Sequence, residues 1–310
     1  MYSENVFKYK YLHPKYALTW FGVGVLYLLV QLPYTWIVMI GGSLGNLSRL
    51  ILKRRAKIVE RNLQLCFPDK SASEIEQMVK NNFYFLGIAL FETGMAWFWS
   101  DRRIKKIFTM TGGEHFTNAM NKQRGVMVVG VHFMSIELGG RIMGTCYPIN
   151  AMYRPHNNKV MEYIQTKGRT RSNKGMIDRR NLKFMIDELK SGKAIWFAPD
   201  QDLGTKGTLF APFFTVENTS TSKGTAMIAQ LSNSVVLTMV LIRNNKNGKP
   251  YEMIIGPELD NYPTGDKQHD AEYINHIIEN EIMRAPEQYL WAHRRFKTRP
   301  KGEPSFYEKK

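Results

Sequence analysis

The sequence contains few cysteines and few acidic side chains. Cys66 and Cys146 are the two cysteines among 310 residues, and no Cys-x-x-Cys pattern is present. A disulfide-rich scaffold and a cysteine-based zinc site are therefore excluded, and the pattern is typical of a reduced, cytosolic domain. The 27 acidic side chains are outnumbered by 43 lysines and arginines, which leaves a net charge of +16. We therefore expect an anionic partner: nucleic acid, an acidic membrane surface, a phosphorylated substrate or an acidic carrier protein.

Charge is also missing from one long stretch near the N-terminus. Residues 16–48, YALTWFGVGVLYLLVQLPYTWIVMIGGSLGNLS, contain no charged side chain. About 20 apolar residues are enough for a helix to cross a bilayer, and Trp20, Tyr34 and Trp36 are residue types that favour the membrane interface. Pro33 interrupts the stretch, so a kinked or re-entrant anchor fits as well as a spanning one. We predict an N-terminal hydrophobic membrane anchor, with a buried soluble helix as the alternative.

The charges that flank this stretch predict its orientation. Residues 49–61 hold six basic side chains and one acidic one, whereas residues 1–15 hold three lysines and one glutamate. The heavier basic cluster favours the cytoplasmic side of a membrane and attracts anionic headgroups. We therefore predict a tail and anchor over residues 1–48 and a cytoplasmic domain over residues 49–310.

The pattern of apolar residues after position 49 predicts one α/β domain, because no linker, repeat or low-complexity run interrupts it. A long helix is expected to begin at a capping box formed by Ser73 and Glu76. Continuous apolar runs then alternate with helical patterns, which indicates a mainly parallel sheet flanked by helices. Predicted strands lie in GVMVVGV, INAMYR, KAIWFAP, SVVLTMVLIR and YEMIIGPEL, and predicted helices over 158–167, 180–190 and 269–283.

Three polar residues lie at the carboxyl ends of predicted strands: His132, Arg154 and Asp200. In open parallel sheets, functional side chains gather at the carboxyl ends of the strands. These three positions are therefore the first structural argument for a site.

The segment HFMSIE contains a candidate catalytic pair, His132 and Glu137. Taken alone this spacing is common by chance, and a core histidine bound to a backbone carbonyl is the alternative. Because Glu137 falls in the first turns of the next helix, we expect its carboxylate to reach back to Nδ1–H of His132. Such a contact would leave Nε2 free as a base. Ser135 is not in a Gly-x-Ser-x-Gly elbow and is not assigned as a nucleophile.

A basic region follows. Residues 153–185 contain nine lysines and arginines and two acidic residues. A solvated surface is the alternative, but Arg154 follows a strand directly and a glycine-bounded loop supplies further donors. The loop candidates are Arg169, Arg171, Asn173 and Lys174. Arginine binds phosphates and developing oxyanions well. Since no nucleic-acid signature is present, a phosphate-bearing small molecule or lipid is favoured over nucleic acid.

The segment FAPDQDLGTKGTLFAPFF contains an Asp-x-Asp pattern at Asp200 and Asp202. The two carboxylates fit a metal-bound nucleotide site of a glycosyltransferase, but they equally fit the orientation of arginines or an ordinary turn. The apolar TLFAPFF that follows fits an acyl-chain surface or a core loop.

Six segments together resemble a known family. VHFMSIE, MYRPHNN, GRTRSNKGMI, WFAPDQD, FAPFF and RAPEQYLWAHRRFKTRP resemble, in order, the late acyltransferases of lipid A biosynthesis. These enzymes belong to the lysophospholipid acyltransferase superfamily, and the chain resembles their lauroyltransferase branch. The resemblance extends from the anchor to about Pro300, and six segments in order are far more specific than any one of them.

The resemblance implies an activity in lipopolysaccharide biosynthesis. A fatty acyl chain, with lauroyl favoured, would pass from acyl carrier protein to a hydroxyl of an acylated, phosphorylated, Kdo-bearing lipid A precursor. The enzyme would act on the cytoplasmic face of the inner membrane and would need no metal or bound cofactor. His132 and Glu137 match the family's His-x4-Asp/Glu pair, and Arg154 matches its second, substrate-binding segment. Glu rather than Asp at position 137 resembles the enzymes that add the first of the two late chains.

The chemistry of the residues agrees with this activity. A secondary alcohol is too weakly acidic to attack a thioester unaided, but a positioned imidazole can remove its proton. Arg154, or an arginine of the 169–171 loop, would stabilise the oxyanion. Two other classes compete: a metal-dependent membrane glycosyltransferase that uses Asp200 and Asp202, and a basic membrane-surface binding module. The binding module gives no reason for His132 at a strand end.

Overall fold

The computed structural model describes residues 2 and 6–307. In this part of the chain the α-helices are α1 Ala17–Leu29, α2 Tyr34–Ile51, α3 Lys53–Cys66, α4 Ala72–Phe98, α5 Asp101–Lys105, α6 Gly113–Asn121, α7 Ile136–Cys146, α8 Lys159–Arg169, α9 Leu182–Lys190, α10 Gly224–Ser232 and α11 Lys267–Met283. The strands are β1 Phe108–Thr111, β2 Val126–Gly130, β3 Ile149–Tyr153, β4 Gly175–Asp178, β5 Ala194–Phe197, β6 Thr208–Phe213, β7 Val216–Ser222, β8 Val235–Arg243 and β9 Tyr251–Glu258.

Seven strands form the central sheet, in the order β1-β9-β8-β2-β5-β3-β4. All neighbouring strands are parallel except β8 and β9, which are antiparallel. The predicted α/β class with a mainly parallel sheet is therefore confirmed, and each predicted strand is present. The predicted capping box is wrong by two residues, because Ser71 caps α4 and pairs with Glu74.

Helices cover both faces of the sheet, and side chains of β2 alternate between the two resulting cores. Met127 and Val129 pack on one side with residues of α3, α9, α10 and α11. Val126 and Val128 pack on the other side with residues of α6, α7 and α8. This period of two is what a strand that is buried on both faces requires. The long helix α4 contributes to both cores.

The segment TLFAPFF lies in the core, as one of the two interpretations left open predicted. It forms β6, which pairs with β7 in a separate antiparallel sheet. The side chains of Ala211 and Phe213 are fully buried. Asn275 of α11 donates a hydrogen bond to the Pro212 carbonyl at 2.7 Å and so ties this sheet to the main core.

The predicted anchor forms α1 and α2, which are separated by a break at Pro33. By length and apolar composition, no single helix in the described residues qualifies to cross a membrane; one bent pair, α2 with α3 at 97°, meets those criteria together. The predicted boundary after residue 48 falls inside α2, because that helix continues to Ile51.

Helix α2 packs very closely against α4 because glycines lie at the crossing. A Cβ atom on Gly45 would overlap the carbonyl oxygen of Phe83, and one on Gly87 would overlap the carbonyl oxygen of Gly41. Two backbones therefore meet here with no side chain between them. Helix α2 is consequently part of the fold.

We expect Gly45→Ala to destabilise the protein by about 1–3 kcal/mol, because overpacking at a backbone contact forces the two helices apart. Gly24→Ala on α1 is the matched control, since a Cβ there meets no atom within 4 Å and alanine raises helix propensity by about 1 kcal/mol. Thermal unfolding of both variants measures the difference. Equal or greater stability of Gly45→Ala would contradict the close contact.

Candidate active site

The strand order brings His132 and Asp200 together. Strands β2 and β5 are parallel neighbours, and their register aligns Val129 with Phe197. His132 and Asp200 each lie three residues beyond these partners. Both side chains therefore emerge at the same carboxyl edge of the sheet.

Asp200 binds His132 through two hydrogen bonds, one at the ring and one at the backbone. Its Oδ1 lies 2.5 Å from Nδ1 of the ring, and its Oδ2 accepts from the His132 backbone N–H at 2.9 Å. The carboxylate is fully buried. Because Nδ1 donates to Asp200, Nε2 is the nitrogen available to a bound hydroxyl. The predicted tautomer is thus supported, but the carboxylate that fixes it is Asp200.

Glu137 does not make the predicted contact with His132. Its two carboxylate oxygens bind the guanidinium of Arg169, from Nε at 3.1 Å and from Nη2. The indole Nε1–H of Trp97 donates to the same carboxylate at 3.3 Å. The predicted orientation of His132 by Glu137 was therefore wrong. Arg169 outcompetes the imidazole because a guanidinium satisfies both oxygens of a buried carboxylate at once.

Burial and ion pairing set the charges of these two pairs. Burial lowers the pKa of His132, but the Asp200 carboxylate outweighs burial and holds this pKa above its ordinary value. Burial raises the pKa of Asp200, but His132 holds it below its ordinary value. Burial likewise raises the pKa of Glu137, which Arg169 then holds below its ordinary value. Both carboxylates are therefore ionised at neutral pH.

A cavity of about 330 Å³ opens beside His132. Its polar residues include His132, Glu137, Arg154 and Arg169. Its apolar lining includes Ala96, Ile136, Met143, Ile149, Ala151, Met176, Trp196 and Met239. An apolar cavity with a few polar groups near its reactive residue suits a substrate with a hydrocarbon part.

Two tryptophans of the cavity wall were not predicted from the sequence. The indole of Trp196 lies edge-on to the His132 ring, with centroids 6.4 Å apart. A Cβ on Gly130 would overlap Trp196, and one on Gly168 would overlap Trp97. Each indole thus occupies space that a glycine leaves open, and no local sequence pattern signals such a pairing.

The predicted loop residues separate into two groups. Asn173 lines the cavity with Arg154 and Arg169. Arg171 and Lys174 do not line it; Arg171 donates to the Trp97 carbonyl through Nη1, and Lys174 donates its backbone N–H to Ile149. Of the four loop candidates, Arg169 and Asn173 are therefore the ones placed to reach a substrate in this cavity.

Asp202 has a different environment from Asp200. Its carboxylate accepts from the backbone N–H of Thr298 at 2.7 Å, from the Thr298 hydroxyl at 2.8 Å and from the backbone N–H of Gly204 at 2.8 Å. Within residues 2 and 6–307, no group of three or more His, Cys, Asp or Glu side chains is arranged to hold a metal ion. The Asp-x-Asp pattern therefore orients a histidine with one residue and stabilises a turn and the C-terminal segment with the other.

The C-terminal segment RAPEQYLWAHRRF makes backbone contacts with His132 and the residue that follows it. The backbone N–H of Leu290 donates to the His132 carbonyl at 3.0 Å, and Phe133 pairs with Tyr289 in an isolated β-bridge. The Tyr289 hydroxyl donates to the Asp200 carbonyl at 3.4 Å. These contacts connect the residues that follow β2 and β5 to the C-terminal segment.

The fold and the site define an α/β protein in which a histidine–aspartate pair lies beside an apolar cavity. Residues 4–298 match the family described as bacterial lipid A biosynthesis acyltransferase. Two relatives come from Escherichia coli (strain K12): a lipid A biosynthesis palmitoleoyltransferase, 55% identical over 99% of this chain and 100% of the relative, and a lipid A biosynthesis lauroyltransferase, 48% identical over 96% of each chain. A Haemophilus influenzae lipid A biosynthesis acyltransferase is 43% identical over 97% of each chain.

The chain therefore belongs to the bacterial lipid A biosynthesis acyltransferase family. It is an acyltransferase, and its substrate is a lipid A precursor. The resemblance noted from the six sequence segments is confirmed. A glycosyltransferase and a non-enzymatic binding module are excluded as its class.

Proposed function

We propose that this enzyme transfers a fatty acyl chain from the thioester of acyl carrier protein to a hydroxyl of the Kdo-bearing lipid A precursor. The observation that carries the proposal is the His132–Asp200 pair at the edge of the apolar cavity. In this mechanism Nε2 of His132 takes the hydroxyl proton while the oxygen forms a bond to the thioester carbon. The tetrahedral intermediate then collapses, the carbon–sulfur bond breaks, and the imidazolium returns its proton to the thiolate. No covalent acyl-enzyme is needed.

The tetrahedral intermediate carries a negative oxygen, for which Arg154 is the favoured donor. Arg154 lines the cavity, and within the described residues its guanidinium has no carboxylate partner. Arg169 also lines the cavity, but its charge is neutralised by Glu137. In our proposal Arg154 stabilises the oxyanion or a substrate phosphate, and the Glu137–Arg169 pair keeps the cavity wall in place.

We expect Arg154→Lys to lower kcat about 10²-fold, because lysine keeps the charge but lacks the planar, forked donor geometry. Arg179→Lys, an exposed change in the same basic region that does not line the cavity, is the matched control. Steady-state kinetics that separate kcat from KM provide the measurement. Full activity of Arg154→Lys would show that Arg154 contributes only its positive charge and not its donor geometry.

The identity of the acyl chain is the finer part of the proposal. The sequence segments favour lauroyl, whereas the 55% identity to a palmitoleoyltransferase favours palmitoleoyl as the second candidate. Purified enzyme incubated with the lipid precursor and each carrier thioester in turn, followed by mass spectrometry, separates the two by the added mass. The net charge of +16 supports an acidic carrier as donor, because complementary charge speeds encounter. Transfer from neither carrier thioester would overturn the proposed donor.

We also propose that the enzyme works at the cytoplasmic face of the inner membrane, with residues 1–48 as its attachment and residues 49–310 as its catalytic part. Helix α1 has no buried residue, and large apolar side chains on α1 and α2 are exposed: Phe21 69%, Leu28 66% and Met39 58%. Such a surface is typical of contact with lipid. Six basic residues at 49–61 add attraction to anionic headgroups, at about 1 kcal/mol each.

We expect the full chain to stay on membranes in high salt, because salt does not screen apolar burial. The triple variant Phe21→Ser, Leu28→Ser, Met39→Ser should be released by high salt, since only the basic cluster would then hold it. The matched control changes three exposed apolar residues elsewhere, Leu203, Leu231 and Met283, to serine. Release of the unaltered chain by high salt alone would overturn the apolar attachment.

A further inference from the structure

A second apolar groove, of about 550 Å³, lies between the N-terminal helices and α4. We name it the α1–α4 groove. It is lined by Leu18, Thr19, Gly22, Val23, Val25, Leu26, Leu29, Leu44, Leu90, Phe91, Thr93, Trp97 and Met161. No charged side chain belongs to this lining. The groove therefore suits a hydrocarbon chain and offers little to a charged or strongly polar ligand.

The groove adjoins the active-site cavity through one shared residue. Trp97 lines both the cavity that contains His132 and the α1–α4 groove. Its indole donates a hydrogen bond to Glu137 at 3.3 Å, and its ring occupies the space left by Gly168. The side chain of Trp97 thus separates the active-site cavity from the α1–α4 groove.

The other side of the groove is open to the outside. Its rim carries exposed leucines, among them Leu18 at 81%, Leu90 at 55% and Leu44 at 44%. The rim belongs to the same helices that present apolar side chains for membrane attachment. A lipid chain can therefore enter the groove from a bilayer without crossing water.

We propose that the α1–α4 groove binds a hydrocarbon chain that the acceptor lipid already carries, while the cavity beside His132 takes the chain of the donor. This inference rests on the proposed function. A donor chain arrives on a soluble carrier and must begin at the reactive carbon, so it belongs in the cavity that contains His132. An acceptor lipid has its chains in the bilayer and only its hydroxyl at His132, so the membrane-facing groove beyond Trp97 suits it.

Two glycines of α1 provide a matched test. Gly22 lines the groove and Gly24 does not. Both are exposed, and a Cβ on either meets no atom within 4 Å. Gly22→Phe therefore adds a ring at the groove wall, at a position where its Cβ meets no neighbouring atom. Gly24→Phe makes the same change of bulk, apolarity and helix propensity on another face of the same helix.

The measurement is the dissociation constant of the Kdo-bearing lipid A precursor, presented in detergent micelles without any acyl donor. We expect Gly22→Phe to weaken binding at least about tenfold, because the ring fills space that the acyl chain would occupy and the chain loses its packing contacts there. Gly24→Phe should bind as the unaltered protein does. Equal dissociation constants for the two variants would overturn the inference.

A partly deacylated form of the precursor identifies the chain that occupies the groove. If the inference holds, removal of the acyl chain weakens binding to the unaltered protein much more than to Gly22→Phe, because the two changes remove the same contact. Equal weakening would show that the groove takes some other chain, such as that of a bulk phospholipid, and would overturn the assignment. Because binding is measured without turnover, a separate failure of transfer by the unaltered enzyme would instead count against the proposed function.

Discussion

We expect His132→Ala to lower acyl transfer by about 10³–10⁴-fold, because the variant has no group that can take the hydroxyl proton. The cavity, the Glu137–Arg169 ion pair and the N-terminal helices do not depend on the imidazole. The variant should therefore keep its melting temperature and its membrane attachment. Transfer is measured as the rate at which acylated lipid product forms from the carrier thioester.

His269→Ala is the control for this variant. His269 is an exposed residue near the start of α11 and does not line the cavity. The His269→Ala variant should retain full transfer activity. Near-normal turnover by His132→Ala would rule out the imidazole as the base and would leave the proposed mechanism without its central step.

Asp200→Asn is the second change with a large expected effect, a loss of about 10²–10⁴-fold in rate. Asp200 accepts two hydrogen bonds, one from the His132 backbone N–H and one from the ring Nδ1–H. An amide has one oxygen, so if that oxygen accepts from the backbone, the amide NH₂ is directed at Nδ1. Nδ1 must then be unprotonated, and the ring proton moves to Nε2, where it blocks the base.

The pH dependence of kcat/KM tests the same residue in another way. The base must be neutral, and the pKa of His132 is held above its ordinary value of 6.5. The rate of the unaltered enzyme should therefore rise with pH through a value above 6.5. In Asp200→Asn the attraction to the imidazolium is gone, so the pKa of His132 falls. The increase of the remaining activity with pH should therefore occur at a lower pH than in the unaltered enzyme. An unchanged pH profile would contradict the assigned pairing.

Asp202→Asn provides the contrast. Asp202 contacts Thr298 and Gly204 and does not line the cavity. Asp202→Asn should lower the free energy of unfolding and should change the pH dependence of kcat/KM little. Under the metal-dependent alternative, both aspartates would matter equally and a strong chelator would abolish activity.

Much of this architecture is readable from local sequence. Continuous apolar runs such as VMVVG predicted the strands, because a strand buried on both faces needs apolar side chains at every position. The same runs placed His132, Arg154 and Asp200 at strand ends. The break between α1 and α2 was foreseeable at Pro33, whose ring ends a helix. The N-cap of α4 was missed by two residues because Ser71 and Ser73 both fit the capping pattern.

The partner of the histidine was not readable in this way. Glu137 is five residues from His132 along the chain, whereas Asp200 is 68 residues away. Local spacing favours the near carboxylate, but spacing does not show that Arg169 binds it from another helix. The two tryptophans of the cavity wall could not be predicted for the same reason: each packs against a glycine that is distant in sequence.

By itself, the sequence determined five of the nine strands in the described residues, the polar residues at the ends of three of them and the family to which the chain belongs. The tertiary structure decided which of those residues meet. Strand order is set by the packing of helices on both faces of the sheet, and no segment contains that information alone. Because β5 lies beside β2 in parallel register, Asp200 rather than Glu137 binds the imidazole. Because α1 and α2 pack against α4 across glycines, an apolar groove lies next to the cavity that contains His132.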